Sequence, residues 1–144
     1  MNILVTGACG YKGSVLVPKL IKRGYNVTAL DIQWFGNFLK PALNLKILKH
    51  DVNDTENINL KGIDVIIHLA SIANDPTGDL NPKLTWETSC LSTMRLVDRC
   101  FREGIERFMY ASSGSVYGLK EEQNVTEDLT LVPISEYNKT KMVA

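Results

Sequence analysis

Two residues in the second half of the chain are of the types that can together move a proton to or from an alcohol. Tyr137 and Lys141 are four positions apart, so on one helix their side chains lie on the same face. An ammonium beside a phenol stabilises the phenolate and lowers the phenol pKa from about 10 toward neutrality. Such a tyrosine can act as a general acid or base. One of the serines that follow an apolar run, Ser112, Ser113 or Ser115, can hydrogen-bond the substrate oxygen. The Tyr–Lys spacing alone is weak evidence, since any helix can carry it by chance.

A glycine-rich loop lies at the other end of the chain. Gly7, Gly10 and Gly13 follow the apolar run Ile3-Leu4-Val5, and a helical pattern begins directly behind them. Gly7 allows a tight turn, Gly10 lets a pyrophosphate approach the backbone, and Gly13 lets helix and strand pack closely. The N–H groups and dipole of the first helical turn would then hold the negative charge. Three glycines can also form only a turn, but the strand before them and the helix after them favour a nucleotide-binding loop.

An aspartate at the end of the second apolar run supports the same interpretation. Asp31 follows residues 26–30 and lies 18 positions after Gly13. A carboxylate there can accept hydrogen bonds from both hydroxyls of an adenosine ribose and would repel a 2′-phosphate. No Arg or Lys follows in residues 32–37 to bind such a phosphate. The sequence therefore favours NAD(H) over NADP(H), although an aspartate can also simply end a strand.

Strand patterns alternate with helical patterns along the chain. We predict strands over residues 3–5, 26–30, 45–48, 63–70 and 106–111, and helices over about 11–23 and 81–103. Pro18 falls inside the first helix, so either that helix kinks or it begins later. The alternation predicts an α/β fold: a Rossmann-type, doubly wound parallel sheet in three αβα layers, with the cofactor at the carboxyl edge of the strands.

Composition limits the classes of partner. The 144 residues, 44% of them apolar, can bury one core and suit a single domain. The 16 basic and 16 acidic residues balance, so nothing indicates nucleic acid or a membrane surface as a partner. No apolar run is long enough to span a membrane, and no signal segment is evident. The three cysteines form no Cys-x-x-Cys pair, so we expect no disulfide framework, no metal site and a cytoplasmic location. Cys9 is interpreted as a small loop residue rather than a nucleophile.

Together these features resemble the extended short-chain dehydrogenase/reductases, and within that family the NAD-dependent nucleotide-sugar epimerases and dehydratases. The resemblance covers nearly the whole chain. The matching segments are Thr6-Gly7-Ala8-Cys9-Gly10-Tyr11-Lys12-Gly13, Asp31, Asp51-Val52, His68-Leu69-Ala70, Ser112-Ser113-Gly114-Ser115-Val116-Tyr117-Gly118 and Tyr137-x-x-x-Lys141.

The resemblance implies a role for each matching residue. Ser113 would be the catalytic hydroxyl and Tyr137 the acid/base, while Lys141 would hold the nicotinamide ribose and tune Tyr137. Asp51 and Val52 would meet the adenine. The residues expected to bind the cofactor are Gly7, Gly10, Tyr11, Lys12, Gly13, Asp31, Ile32, Asp51, Val52, Leu69, Ala70, Ser71, Tyr137 and Lys141.

Two features depart from the family pattern. Ser89 stands where the family usually has an asparagine in the central helix. The chain also ends at Ala144, whereas family members continue with further strands and a lobe that binds the nucleotide-sugar. We therefore expect an incomplete NAD-binding domain over residues 1–144, without a substrate lobe. We expect it to be inactive alone and to associate through its uncovered surface, a homodimer being one possibility.

The residues between Ser113 and Val116 bear on the type of reaction. Family dehydratases have an Asp-Glu pair there, which supplies the second acid and base that elimination needs. This chain has Gly114 and Ser115, so an epimerase or related reductase acting by transient hydride transfer is favoured over a dehydratase. A catalytically inactive NAD-binding or interaction module remains the alternative.

Two groups of candidates also have simpler interpretations. Ser112, Ser113 and Ser115 could only form a turn. His68 lies in a predicted buried strand and is interpreted as a hydrogen-bonded core histidine rather than a base.

Overall fold

Five strands form one parallel sheet in the computed structural model, which describes all residues from Met1 to Ala144. The strands are β1 (Asn2–Thr6), β2 (Asn26–Asp31), β3 (Leu45–Lys49), β4 (Val65–His68) and β5 (Arg107–Tyr110). Their order is β3-β2-β1-β4-β5, and every neighbouring pair is parallel. The order reverses between β1 and β4, which is the topological switch point of a doubly wound sheet. The predicted sheet is confirmed, and each strand lies within two residues of its predicted bounds.

Five α-helices accompany the sheet. They are α1 (Tyr11–Lys22), α2 (Asp75–Leu80), α3 (Pro82–Trp86), α4 (Ser92–Arg102) and α5 (Glu136–Val143). A π-helical turn, Glu87–Leu91, joins α3 to α4, so the predicted helix over 81–103 is present in three pieces. Short 3-10 helices occupy Thr55–Asn57 and Gly114–Tyr117. Because α1 begins at Tyr11, Pro18 lies inside the helix, and the later start is excluded.

The chain divides into two compact units. The first comprises residues 1–70 and 92–111 and contains the whole sheet with α1 and α4. The second comprises residues 71–91 and 112–144 and contains α2, α3, the π-helical turn and α5. No helix of either unit has the length and apolarity that a membrane crossing requires.

The core of the first unit lies on both faces of the sheet. Alternate residues of β1 point in opposite directions, as the pleat requires. Val5 belongs to the cluster that includes Val17 of α1, whereas Leu4 packs in a second cluster with Ile66 of β4 and Leu96 of α4. The helices therefore cover the sheet from both sides, which gives the predicted three layers.

His68 is fully buried at the end of β4. Its Nδ1 lies 2.7 Å from the hydroxyl of Thr6 and its Nε2 lies 2.9 Å from the hydroxyl of Thr93. Both ring nitrogens thus have protein partners, so the interpretation as a hydrogen-bonded core histidine is confirmed.

A buried arginine, which the sequence did not single out, ties α4 to the segment after β3. Arg99 donates to the backbone carbonyls of Thr55, Glu56 and Ile58, at 3.1 Å for Glu56 and 2.8 Å for Ile58. Its side chain also lies 3.3 Å from the carboxylate of Glu103. These carbonyls belong to the 3-10 helix and its C-cap, so one guanidinium donates to the last acceptors of this helix, of which the Thr55 carbonyl also accepts from the N–H of Ile58.

Replacing Arg99 with methionine should lower the free energy of unfolding by about 2–4 kcal/mol, because three carbonyls lose a charged donor. Urea denaturation would measure the loss. Arg102→Met is the matched control: it lies one turn along the same helix and pairs only with exposed carboxylates, so its effect should be minimal. Equal losses for the two variants would contradict this role for Arg99.

Candidate functional site

The loop after β1 passes unusually close to the segment after β4. Gly7 has φ +65°, and a Cβ at this position would lie 2.7 Å from the backbone nitrogen of Ala70 and 2.8 Å from its Cα. Neither atom can move without shifting the chain after β4. Gly7 is therefore required by its backbone conformation and by the contact with Ala70, in addition to the tight turn expected from the sequence.

The other two glycines bring α1 onto this loop. A Cβ at Gly13 would lie 2.5 Å from the carbonyl oxygens of both Gly7 and Ala8, so only glycine permits this packing. Gly10 is the N-cap of α1 and has no side chain to cap the first turn. Tyr11 and Lys12 in that turn are exposed, and the turn carries no acidic residue. The backbone N–H groups of the first turn are therefore uncapped and lie at the positive end of the helix dipole, an arrangement that suits an anion.

Asp31 is the last residue of β2, and its carboxylate is already oriented by the backbone. The N–H of Cys9 donates to Oδ2 at 2.9 Å, and the N–H of Gln33 donates to Oδ1 at 2.6 Å. Each oxygen keeps a lone pair that can accept from a ribose hydroxyl. Burial, and secondarily the charge of Asp31, raises the pKa of the Cys9 thiol, which disfavours the thiolate that a nucleophile needs.

The remaining predicted cofactor residues of the first unit follow the carboxyl ends of their strands. Ile32 comes directly after β2 and is partly buried. Asp51 follows β3, where its Oδ1 accepts from the N–H of Asn53 at 2.9 Å, and the side chain of Val52 packs in the core. Leu69 and Ala70 follow β4 and are partly buried. Since parallel strands end on the same edge of a sheet, these positions share one edge with Gly7 and Asp31. Ser71 begins the second unit and is partly buried.

In the second unit, α5 carries the Tyr–Lys pair. The Nζ of Lys141 lies 5.9 Å from the centroid of the Tyr137 ring, so the two side chains share one side of the helix as expected. Lys141 is only 4% exposed. A largely buried ammonium beside the phenol interacts with it more strongly than it would in water.

Several contacts that the sequence did not predict fix α5. The indole Nε1 of Trp86 donates to the carboxylate of Glu136 at 2.7 Å, and Ser135 caps the helix by accepting from the N–H of Asn138 at 3.1 Å. Hydrogen bonds from Lys139 and then Trp86 lower the pKa of the Glu136 carboxyl. Gly78 of α2 packs against the start of α5, where an added Cβ would lie 3.1 Å from the Cβ of Tyr137. Tyr137 is therefore held by packing against α2 as well as by its own helix.

Ser113 caps the 3-10 helix Gly114–Tyr117 and is also hydrogen-bonded to a neighbouring hydroxyl. Its Oγ accepts from the N–H of Ser115 at 3.3 Å, and the two Oγ atoms lie 2.6 Å apart. The Oγ of Ser115 lies 2.6 Å from Oδ1 of Asn138 on α5. The turn-forming role that serine commonly has is thus present, and it leaves Ser113 connected to the helix that carries Tyr137.

Ser89, which departs from the family pattern, has a backbone role. It is buried in the π-helical turn, and its Oγ accepts from the N–H of Ile72 at 3.0 Å. A serine at this position therefore still holds the chain that follows β4. No group of three or more His, Cys, Asp or Glu side chains is placed to hold a metal ion.

Comparison with known proteins gives matches over nearly the whole chain. Residues 3–144 match the family model described as the NAD-dependent epimerase/dehydratase family. The chain is 33% identical to a protein of Methanocaldococcus jannaschii named putative UDP-glucose 4-epimerase, over 98% of this chain and 48% of the relative.

Solved structures of other proteins also superpose on nearly the whole chain. MoeE5, solved in complex with UDP-glucuronic acid and NAD, superposes with a TM-score of 0.86 at 33% identity and covers 99% of this chain. TunA, described as an NAD-dependent NDP-hexosamine 5,6-dehydratase, superposes with a TM-score of 0.88 at 27% identity and also covers 99% of this chain. The chain spans 46% of each of these two structures, so it corresponds to less than half the length of the relatives it matches.

Replacing Gly7 with alanine should destabilise the first unit far more than the same change at Gly62. Both glycines have positive φ, but a Cβ at Gly62 would have no atom within 4 Å. We expect Gly62→Ala to cost about 1–2 kcal/mol for the backbone conformation alone. Gly7→Ala should add about 1–3 kcal/mol for the clash with Ala70. Chemical denaturation of the two variants would measure the difference, and equal losses would show that the contact with Ala70 imposes no constraint.

Proposed function

Because the chain belongs to the NAD-dependent epimerase/dehydratase family, we propose that it acts in the epimerisation of a nucleotide-sugar. NAD is the cofactor of this enzyme family. The observation that carries the proposal is the pairing of buried Lys141 with Tyr137 on a helix that also contacts Ser115, two residues from Ser113. These are the side chains that reversible oxidation of an alcohol requires.

The first unit fits a dinucleotide. A Cβ would clash with the backbone at Gly7 and Gly13 and would lie 3.3 Å from the carbonyl oxygen of Gly7 at Gly10. The uncapped start of α1 would hold the pyrophosphate. The carboxylate of Asp31 would accept from the adenosine ribose. Asp51 and Val52 would lie toward the adenine, and Leu69 to Ser71 would line the cofactor. Bound NAD would supply the acceptor and donor of a hydride.

The second unit supplies the groups that move the proton. Tyr137 would take the proton of the substrate hydroxyl as that carbon is oxidised and would return it when the carbon is reduced from the opposite face. Lys141 would stabilise the phenolate and hold the nicotinamide ribose. Ser113 would hydrogen-bond the reacting oxygen. One acid/base residue suffices for epimerisation, because the same proton leaves and returns.

Dehydration is the second candidate, and TunA shows that the family includes it. Elimination needs a further acid and base near the reacting sugar. Gly114 has no side chain, and the Ser115 hydroxyl does not titrate near neutral pH and is hydrogen-bonded to Ser113 and Asn138. Epimerisation is therefore favoured.

Separate observations support a substrate class, a homodimer and a cellular location for the protein. The names of the relatives support a UDP-linked hexose and reaction at carbon 4. A homodimer is supported by the exposed apolar side chains of Met94, Val97 and Phe101 on α4. None of the three cysteines forms a disulfide bond and all three are buried, which supports a cytoplasmic location.

The reaction is tested by incubating the protein, with any downstream sequence restored, with NAD and a panel of UDP-, GDP-, CDP- and dTDP-hexoses. We expect interconversion of two epimers, and Tyr137→Phe should reduce kcat at least about 100-fold because it removes the acid/base. Tyr25→Phe, in the first unit, is the control and should retain activity. A 4-keto-6-deoxy product would establish dehydration instead, and NAD binding without turnover would favour an inactive module.

Asp31 is expected to determine cofactor choice. Asp31→Ala should weaken NAD binding about 10- to 100-fold through the loss of two charge-assisted hydrogen bonds, and it should narrow the preference over NADP. Asp31→Asn removes the charge and keeps one acceptor oxygen, but its amide nitrogen would face the N–H of Cys9 or Gln33, so the preference is judged from the ratio of the NAD and NADP affinities. Isothermal titration with NAD and with NADP measures the two affinities of each variant, and Asp98→Ala is the surface control. Equal or tighter NADP binding by the unaltered protein would contradict this role.

A further inference from the structure

A short chain of hydrogen bonds runs from Ser113 into α5. The Oγ atoms of Ser113 and Ser115 lie 2.6 Å apart, and the Oγ of Ser115 lies 2.6 Å from Oδ1 of Asn138. The side chain of Asn138 is 5% exposed, and its backbone N–H is fixed by the capping serine, Ser135. Asn138 directly follows Tyr137 in the sequence. This series of hydrogen bonds therefore starts at the proposed catalytic hydroxyl and ends on a buried amide next to the proposed acid/base in the sequence.

The number of hydroxyl hydrogens in this series of hydrogen bonds determines which group donates at each step. Each serine hydroxyl donates one hydrogen, whereas a side-chain amide can present either an acceptor oxygen or a donor nitrogen. With Oδ1 of Asn138 facing Ser115, Ser115 donates to Asn138 and Ser113 donates to Ser115. Ser113, which also accepts from the N–H of Ser115, then presents only a lone pair to a substrate. If the amide rotates so that Nδ2 faces Ser115, both hydroxyls reverse, and the hydrogen of Ser113 becomes available to a substrate.

In the reversible oxidation of an alcohol, the direction of the Ser113 hydroxyl matters when the substrate is a ketone. A hydroxyl substrate gives its proton to the base, so its oxygen gains nothing essential from a second donor. A ketone oxygen carries no hydrogen and is stabilised by donors aimed at it. We propose that Asn138 is a positioning residue that, through Ser115, sets the direction of the Ser113 hydroxyl, so that Ser113 can donate to the keto oxygen. This inference rests on the proposed function. It breaks no O–H or N–H bond, since the hydroxyls and the amide only rotate.

Asn138→Asp tests the inference because aspartate has the shape of asparagine but can only accept when ionised. The carboxylate would lock Ser115 as its donor and Ser113 as the donor to Ser115. We expect kcat to fall about 10- to 100-fold with little change in KM, as for loss of one oxyanion donor. Asn138→Leu leaves Ser115 free to donate to Ser113, so its kcat should fall less. A merely structural role predicts the reverse order, since aspartate keeps the hydrogen bond and leucine loses it.

A double-mutant cycle separates this effect from the new negative charge. In a Ser115→Ala background the link to Ser113 is absent, so Asn138→Asp should have little further effect on kcat. Asn124→Asp adds the same charge on an exposed loop and should leave kcat unchanged. The inference is overturned if Asn138→Asp loses less activity than Asn138→Leu, or if its full loss persists without Ser115.

A titration gives a readout that does not depend on turnover. The pKa of the carboxyl introduced by Asn138→Asp, followed by ¹³C NMR in the protein with any downstream sequence restored, should be about one unit lower with Ser115 than with alanine there, because the hydroxyl donates to the carboxylate. Equal pKa values in the two backgrounds would overturn the inference. An inactive wild-type protein that shows the expected pKa difference would contradict the proposed function, and the hydrogen-bonded chain would stand.

Discussion

The close approach of two backbones at the switch point of the sheet is the constraint on which the first unit depends. The loop after β1 lies so near the chain after β4 that Gly7 has no room for a Cβ beside Ala70. The same loop receives α1, because Gly13 permits the carbonyls of Gly7 and Ala8 to approach the helix. These contacts place the uncapped start of α1 at the carboxyl edge of the sheet. An anion-binding site thus arises from backbone packing before any functional side chain is considered.

In the second unit, side-chain hydrogen bonds rather than backbone packing hold α5 in place. Trp86 binds Glu136, Ser135 caps the helix, and Asn138 is hydrogen-bonded to Ser115. These contacts act on residues on both sides of Tyr137 in the sequence. Reacting groups need to be held within fractions of an ångström, and a site on a helix with several fixed residues meets this requirement better than one on a loop.

The sequence predicted those features that depend on local pattern. The five strands follow from runs of apolar residues, the glycine loop follows from its spacing, and the placement of Lys141 beside Tyr137 follows from helical geometry. The π-helical turn over Glu87–Leu91 was not predicted, because its residues fit the α-helical pattern equally well. Arg99 was also missed, since an arginine on an amphipathic helix looks like a surface residue.

Long-range contacts account for the rest of what the sequence did not reveal. Ser115 and Asn138 are 23 positions apart, and nothing in either local segment indicates that they meet. Asparagine next to Tyr137 would ordinarily be assigned to the exposed side of a helix.

In the proposed reaction a hydride leaves one carbon of a nucleotide-sugar and returns to the same carbon. This reaction is tested most directly with a UDP-hexose deuterated at carbon 4, incubated with NAD and the protein with any downstream sequence restored, and followed by NMR of the products. Epimerisation by transient oxidation predicts that the product epimer keeps the deuterium at carbon 4, without exchange with water. Deuterium at another carbon together with loss of water, or exchange of the label with solvent, would contradict the account.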